Sequence, residues 1–169
     1  MASAEEIIEK LNLQPLPQEG GYYVESYRSF EEIPKVGLPE RYAQKKSFGT
    51  AIYYLLTPET FSALHRLPTD EVFHFYLGDP VTMVQLHPDG SCERFTLGTD
   101  IINGQRVQLM VPKGTWQGSF LNEGGKFALL GTTMAPGFDF SDYENGNQEE
   151  LMEKYPSEKE FIVRLTSKD

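Results

Sequence analysis

From Tyr22 onward the chain is a succession of short apolar runs: "YYVESYRS", "FGTAIYYLL", "TFSALHRL", "EVFHFYL", "VTMVQLH", "CERFTL", "QRVQLMV", "TWQGSFL" and "KFALLGTTM". Several alternate apolar and polar residues, and all are rich in β-branched and aromatic side chains, which suit a pleated, half-buried surface. The segments between them, "PTD", "GDP", "PDGS", "NG", "PKG" and "NEGG", are turn chemistry. Runs this short, at this spacing, cannot bury a helical stripe. They predict an all-β sandwich or barrel.

Different signals flank that body. "SAEEIIEKLNL" places Ser3 and Glu6 as a capping box ahead of apolar residues at helical spacing, which predicts a short amphipathic helix. A Pro- and charge-rich loop runs from Phe30 to Lys46. After "APGFDFSDY" a second short helix is predicted from Gln148 to Lys154, closed by Pro156, before a last apolar stretch "EFIVRL". The acidic residues around that helix read as a solvated face. With no linker, repeat or low-complexity tract, the expectation is one domain over 1–169, its β-body from about Gly20 to Pro136 and its helices packed outside.

Charge narrows the partners. A net charge of −10 and a pI near 4.8 oppose a basic footprint for nucleic acid or for an anionic membrane surface. No run approaches the ~20 apolar residues of a membrane span, and "MASAEEIIEK" lacks the basic start and apolar centre of a signal peptide. A soluble, cytoplasmic protein is expected. Cys92 is the only cysteine, so neither an intrachain disulfide nor a thiolate metal cage can form. It follows "HPDG" on an expected exposed hairpin, where nothing nearby would activate it.

The stretch "FSALHRLPTDEVFHFYLGDP" concentrates the chemistry, because it holds two of the three histidines around an acidic pair. Strand alternation puts Phe61, Ala63, His65 and Leu67 on one face, and Glu71, Phe73 and Phe75 on one face of the next strand. If "PTD" folds one strand back on the other, His65 and Glu71 come within side-chain reach among apolar neighbours. A buried imidazole and carboxyl need partners, since each unpaired polar group costs about 1 to 3 kcal/mol. The pair is then a satisfied structural couple or a site. His74 falls on the face opposite Glu71, and His87, beside "PDG", reads as a surface residue. Trp116 and Gln117 are separated by alternation, so only one faces inward. Arg28, near Tyr22 and Tyr27, would clamp an anionic group if it pointed inward; otherwise it pairs with Glu19 or Asp70.

The spacing resembles the first cupin motif, G-x5-H-x-H-x3-4-E-x6-G, with His65 at the first His, Glu71 at the Glu and Gly78 at the final Gly. "VPKGTWQGSFLN" resembles the second motif, G-x5-P-x-G-x2-H-x3-N, with Pro112 and Gly114 in register. Four segments in order, "LPQEGGYYVESYRS", "FSALHRLPTDEVFHFYLGDP", "VPKGTWQGSFL" and "APGFDFSDY", are together similar to a small single-domain cupin subfamily without a settled activity. The resemblance implies a jelly roll (double-stranded β-helix), a ligand pocket in the barrel mouth, a homodimer, and Gln117 rather than Trp116 facing the pocket. The chain departs from the motifs at Leu67 and Gln117, where metal-binding cupins carry histidines, and at Glu59 and Arg106 in place of the opening glycines. Only His65 and Glu71 survive from the usual metal set, with Gln117 as a weak neutral third donor. No tightly bound metal is therefore expected; a weakly bound divalent ion would take those three residues.

Three functions remain open at this level. One is a metal-independent enzyme in which His65, supported by Glu71, is a general base, of epimerase or isomerase type by fold-level analogy. Another is a non-catalytic module holding a small ligand against Phe61, Ala63, Phe73, Phe75, Gln117 and Arg28. The third is a weak-metal enzyme. Nothing in the sequence identifies the ligand or decides whether there is catalysis.

Overall fold

The computed structural model describes residues 2–166. Helix α1 (Ala4–Leu11) is followed by strands β1 (Gln14–Pro15), β2 (Tyr22–Arg28), β3 (Glu32–Ile33), β4 (Lys46–Ser47) and β5 (Thr50–Leu56). Next come β6 (Phe61–Arg66), β7 (Glu71–Gly78), β8 (Val81–Leu86), β9 (Cys92–Leu97) and β10 (Gln108–Val111). The chain ends with β11 (Trp116–Leu121), β12 (Ala128–Met134), β13 (Glu144–Asn145), α2 (Gln148–Lys154) and α3 (Lys159–Leu165).

The strands form a jelly roll of two main antiparallel sheets, ordered β1-β2-β5-β12-β7-β10 and β13-β6-β11-β8-β9, as the short strands and the cupin resemblance together predict. Between them lies a core that includes Leu56, Phe73, Phe75, Met83, Val111 and Leu130. Helix α1 begins at the expected capping box and lays Ile7 and its neighbours on Leu55 and Leu129, outside the six-stranded sheet. Helix α2 spans the expected residues, while "EFIVRL" lies within α3; the two bury Leu151, Ile162 and Leu165 against Leu64, Leu86 and Trp116, outside the five-stranded sheet. Most acidic residues of the tail are exposed, but Glu158 is buried, with one oxygen 3.6 Å from Arg94.

Two departures from simple alternation shape the interior. The first concerns the turns. "PDGS" closes a true hairpin, β8 with β9. "PTD", "GDP", "PKG" and "NEGG" are instead corners where the chain crosses from one sheet to the other. β6 and β7 therefore belong to different sheets, and the hairpin pairing expected of His65 and Glu71 is replaced by a meeting across the sandwich.

The second is a slip of register in β6. Gln117 lies opposite His65, but Ser119 lies opposite Ser62 and Phe120 opposite Phe61. One extra residue is thus accommodated in β6, and the strand reverses its facing there. Phe61 consequently packs with Leu64 and Phe120 in the outer cluster instead of sharing an inward face with His65, and Ser62 takes its expected place.

Gly78 closes β7 with a φ of +105°, where a side chain is strained, and a Cβ there would stand 2.3 Å from the Phe127 carbonyl oxygen. Gly78→Ala is expected to destabilise the fold by about 1 to 3 kcal/mol. Urea unfolding measures this; an unchanged midpoint would contradict it.

Candidate functional site

His65, Glu71 and Gln117 are brought together inside the sandwich, with relative exposures of 2%, 7% and 2%. β11 carries Gln117 beside His65 in the five-stranded sheet, and β7 presents Glu71 from the facing sheet. Gln117 Nε2 bridges the two sheets by donating to Glu71 Oε2 at 2.7 Å. Because Nε2 is committed to that bond, Oε1 is left as a buried acceptor with no partner among the described residues. The buried hydroxyls of Ser119 and Tyr143 are likewise unpaired among those residues.

The His65 ring is fixed by its own strand. Its Nδ1 lies 2.7 Å from the Ala63 carbonyl, which can only accept, so Nδ1 carries a proton and in the neutral ring Nε2 keeps the lone pair. Nε2 lies 3.8 Å from Glu19 Oε2. Tyr143 stacks on the His65 ring, ring centroids 4.9 Å apart and planes 18° from parallel.

Glu19 and Tyr143 come from segments remote in sequence. Glu19 precedes Gly20, whose φ of +94° and close approach to the Phe61 carbonyl let the loop press onto β6. There the Glu19 carbonyl accepts from Ala63 N–H at 2.7 Å, and its carboxylate accepts from Ser62 Oγ at 2.8 Å. Tyr54 adds its ring beside Glu19, with its hydroxyl donating to the Gly20 carbonyl at 2.8 Å. Tyr143 sits on a strap fastened at three points. β13 pairs Glu144 with Arg66 and Asn145 with His65, Arg66 grips Glu144 through two bonds of 2.6 and 2.8 Å, and the buried Lys46 pairs with Asp142.

Electrostatics follow from this crowding. Burial pushes the Glu71 carboxyl above the ordinary glutamate range, and the Glu19 carboxylate pushes it further; His65 and the Gln117 hydrogen bond act the other way. Burial and Glu19 also raise the phenol of Tyr143. The cluster thus holds an imidazole with a free lone pair and a carboxyl biased toward its protonated form.

Other expectations are placed differently. Arg28 is half-exposed on β2 and binds Glu25 at 2.9 and 2.7 Å and the Phe138 carbonyl at 2.9 Å, so neither an inward anion clamp nor a pair with Glu19 or Asp70 forms. Asp70 instead caps the Lys113 N–H at 2.7 Å. Phe73 and Phe75 face inward as alternation predicts and are absorbed into the core. Phe61 and Ala63 line a recess of about 280 Å³ that also touches Glu19. A second recess, about 300 Å³, is lined by Leu67, Gly114, Asp142 and Glu144, flanking Tyr143. His74 faces outward, bonded to Thr133 at 3.0 Å and Gln108 at 3.3 Å. His87 is less exposed than its turn position suggests: its side chain is only 16% exposed and pairs with Glu93 at 2.9 Å. Burial raises the Cys92 thiol, the opposite of activation. Among the described residues, no three His, Cys, Asp or Glu side chains are arranged to hold a metal ion, and no helix is long and apolar enough to cross a membrane.

The sign of a pH effect follows from Glu71. Its folded carboxyl holds a proton more tightly than the same group unfolded, so stability falls as pH rises from the ordinary value of 4.5 through the higher folded one. Glu71→Gln keeps an acceptor for Gln117 and removes that fall. The variant is expected to gain on the wild type as pH climbs through the window. Urea unfolding from about pH 4 to 8 tests this, and a difference that is flat or shrinks with pH would refute it.

Comparison with known proteins supplies the context. The chain aligns over its full length with the crystal structure of protein SO0799 from Shewanella oneidensis, at 34% identity and a TM-score of 0.86, covering 100% of both chains. A hypothetical protein from Leishmania major is 31% identical with a TM-score of 0.87, covering 99% of this chain and 100% of that one. The uncharacterized protein YML079W of Saccharomyces cerevisiae is 31% identical over 134 residues, which is 75% of this chain and 67% of the yeast protein. Residues 5–145 match the sequence profile of Cupin_5, Cupin superfamily (DUF985), and with that match, the jelly roll and these relatives, the chain belongs to the Cupin_5 family of the cupin superfamily.

Proposed function

We propose that this cupin binds a small molecule between its sheets, against His65, Glu71 and Gln117, and acts on it as a metal-independent acid/base enzyme of isomerase or epimerase type. One observation carries the reading: a base and an acid share one buried cluster. His65 offers Nε2 because Nδ1 is committed to Ala63, and Glu71 is biased toward its protonated form by burial and by Glu19. An isomerisation removes a proton from one position and returns one at another, tasks that a lone-pair nitrogen and a carboxyl biased toward its protonated form can divide. Tyr143, stacked on His65, closes the cluster toward the strap and limits water there.

The donor set supports independence from a tight transition metal. It holds one imidazole, and Gln117 turns an N–H toward Glu71 where a metal ligand would need a lone pair. A non-catalytic binding role is the second reading, favoured because Glu71 bonds Gln117 and not His65. Self-association to a homodimer is part of the proposal. Strand β10 is a sheet edge, and Tyr76 and Met110 on or beside it are about half exposed, 46% and 50%.

Ligand-observed NMR and crystal soaks with small polar fragments test the site: fragments are expected against His65 Nε2 and Gln117 Oε1, and binding only elsewhere would sink the reading. With a substrate in hand, His65→Ala is expected to lower turnover roughly 100-fold with folding retained. Weakened binding with no turnover to lose selects the second reading. Elemental analysis of protein dialysed without chelator is expected to find substoichiometric metal, and a retained equivalent would overturn metal independence. Light scattering at micromolar protein is expected to give twice the chain mass; a monomer mass throughout a dilution series counts against the dimer.

A further inference from the structure

The interior cluster is unbalanced in charge and in hydrogen-bonding character. Glu19 Oε2 lies 3.8 Å from His65 Nε2, and Glu71 is bonded to Gln117 beside that imidazole, so two acidic side chains and a single imidazole share the cluster. Lys46 and Arg66, the cations beside the strap, are each committed to a carboxylate, Asp142 and Glu144. Arg28 is held outside by Glu25. Gln117 Oε1, on a side chain 2% exposed, is an acceptor with no donor among the described residues, although its own Nε2 is satisfied by Glu71. Tyr143 stacks its ring on His65 and keeps a buried hydroxyl with no partner among the described residues.

These features have one common complement. A buried acceptor left unpaired costs about 1 to 3 kcal/mol, so a ligand that donates to Gln117 Oε1 recovers that cost. An anion would meet Glu19 with no arginine or lysine to offset it. A cation is attracted by the Glu19 carboxylate and by the ring of Tyr143, and its approach favours the ionised form of Glu71. A neutral alcohol could donate one hydrogen bond, but it leaves the excess negative charge uncompensated.

Resting on the interior site of the preceding reading, we propose that its ligand carries a protonated primary amine, seated among Glu71, Glu19, Gln117 Oε1 and the ring of Tyr143. The ammonium group has three N–H donors and no acceptor, which matches a setting of acceptors. It leaves His65 Nε2 free for chemistry on a neighbouring atom of the ligand. The selection rule separates this interior from a site for phosphorylated or carboxylated substrates, where bidentate arginine recognition is the usual device.

A charge series with one carbon skeleton tests it: n-butylamine, n-butanol and butyrate near neutral pH, titrated by NMR against wild type, Glu71→Gln, Glu19→Gln and Gln117→Leu, with circular dichroism to confirm folding. The expected result is an amine affinity at least tenfold above those of the alcohol and the acid, reduced about tenfold or more in Glu71→Gln and Gln117→Leu. Glu19→Gln, at a partly exposed carboxylate, is the second charge variant and is expected to weaken the amine alone. If butanol or butyrate binds as tightly as the amine and Gln117→Leu weakens it, the ammonium class is overturned while the interior site stands. Amine binding that both Glu→Gln variants retain overturns it too. No binding by any member at about 50 mM, or binding that ignores all three variants, overturns the amine proposal and the interior site together.

Discussion

A single hydrogen bond between side chains, Gln117 to Glu71, joins the two sheets through their shared interior. Its neighbours are apolar: Phe73 and Phe75 follow Glu71 on its own face of β7, and Leu130 and Val111 line the same core. In such surroundings a carboxyl group is costly unless it is neutral or hydrogen-bonded, and here it is bonded and biased toward neutrality. That requirement organises much else. Gln117 must face inward, so Trp116 faces out to pack under α2 and α3. His65 must come into register with Gln117, and the extra residue in β6 achieves this while Phe61 keeps its outer packing.

Much of the fold was legible because alternation and turn chemistry are local signals. The short strands, the capping box at Ser3 and Glu6 and the helix from Gln148 to Lys154 all follow from residues within a few positions of each other, while the jelly roll came with the cupin resemblance. What alternation cannot report is a change of phase. The slip leaves no glycine or proline within β6 itself; the glycine that stands opposite it, Gly118, lies on β11 between Gln117 and Ser119, more than fifty residues away in sequence. Turn chemistry has a similar limit. "PTD" and "PDGS" both reverse the chain, yet one crosses between sheets and the other closes a hairpin, and only the identity of the neighbouring strands separates them.

The site was legible in its centre and not at its rim. His65, Glu71 and Gln117 could be assembled from motif spacing, whereas Glu19, Ser62, Tyr54 and Tyr143 meet them through contacts that span the chain. Glu19 and Tyr143 do lie in "LPQEGG" and "FSDY", within segments that carried the cupin resemblance, but nothing in those strings says which side chain turns inward. Arg28 shows the converse. It lies in the first of those segments, and a nearby glutamate on its own strand, Glu25, captured its guanidinium.

The positions that depart from the cupin metal motifs change what the cluster offers a ligand. Leu67 occupies the place of an imidazole, and it is buried at the wall of the recess that Asp142 and Glu144 also line. Gln117 occupies the place of another, and its carboxamide supplies both a donor and an acceptor where an imidazole would offer one lone pair to an ion. The donor holds Glu71; the acceptor stays open. A lone-pair nitrogen on His65, a carboxyl biased toward protonation and an unpaired acceptor then stand within one cluster, positioned by the backbone of β6 and by the bond between the sheets. In a metal cupin the ion would order the substrate and polarise it. On the reading proposed above, fixed hydrogen-bonding groups take those tasks and act on protons.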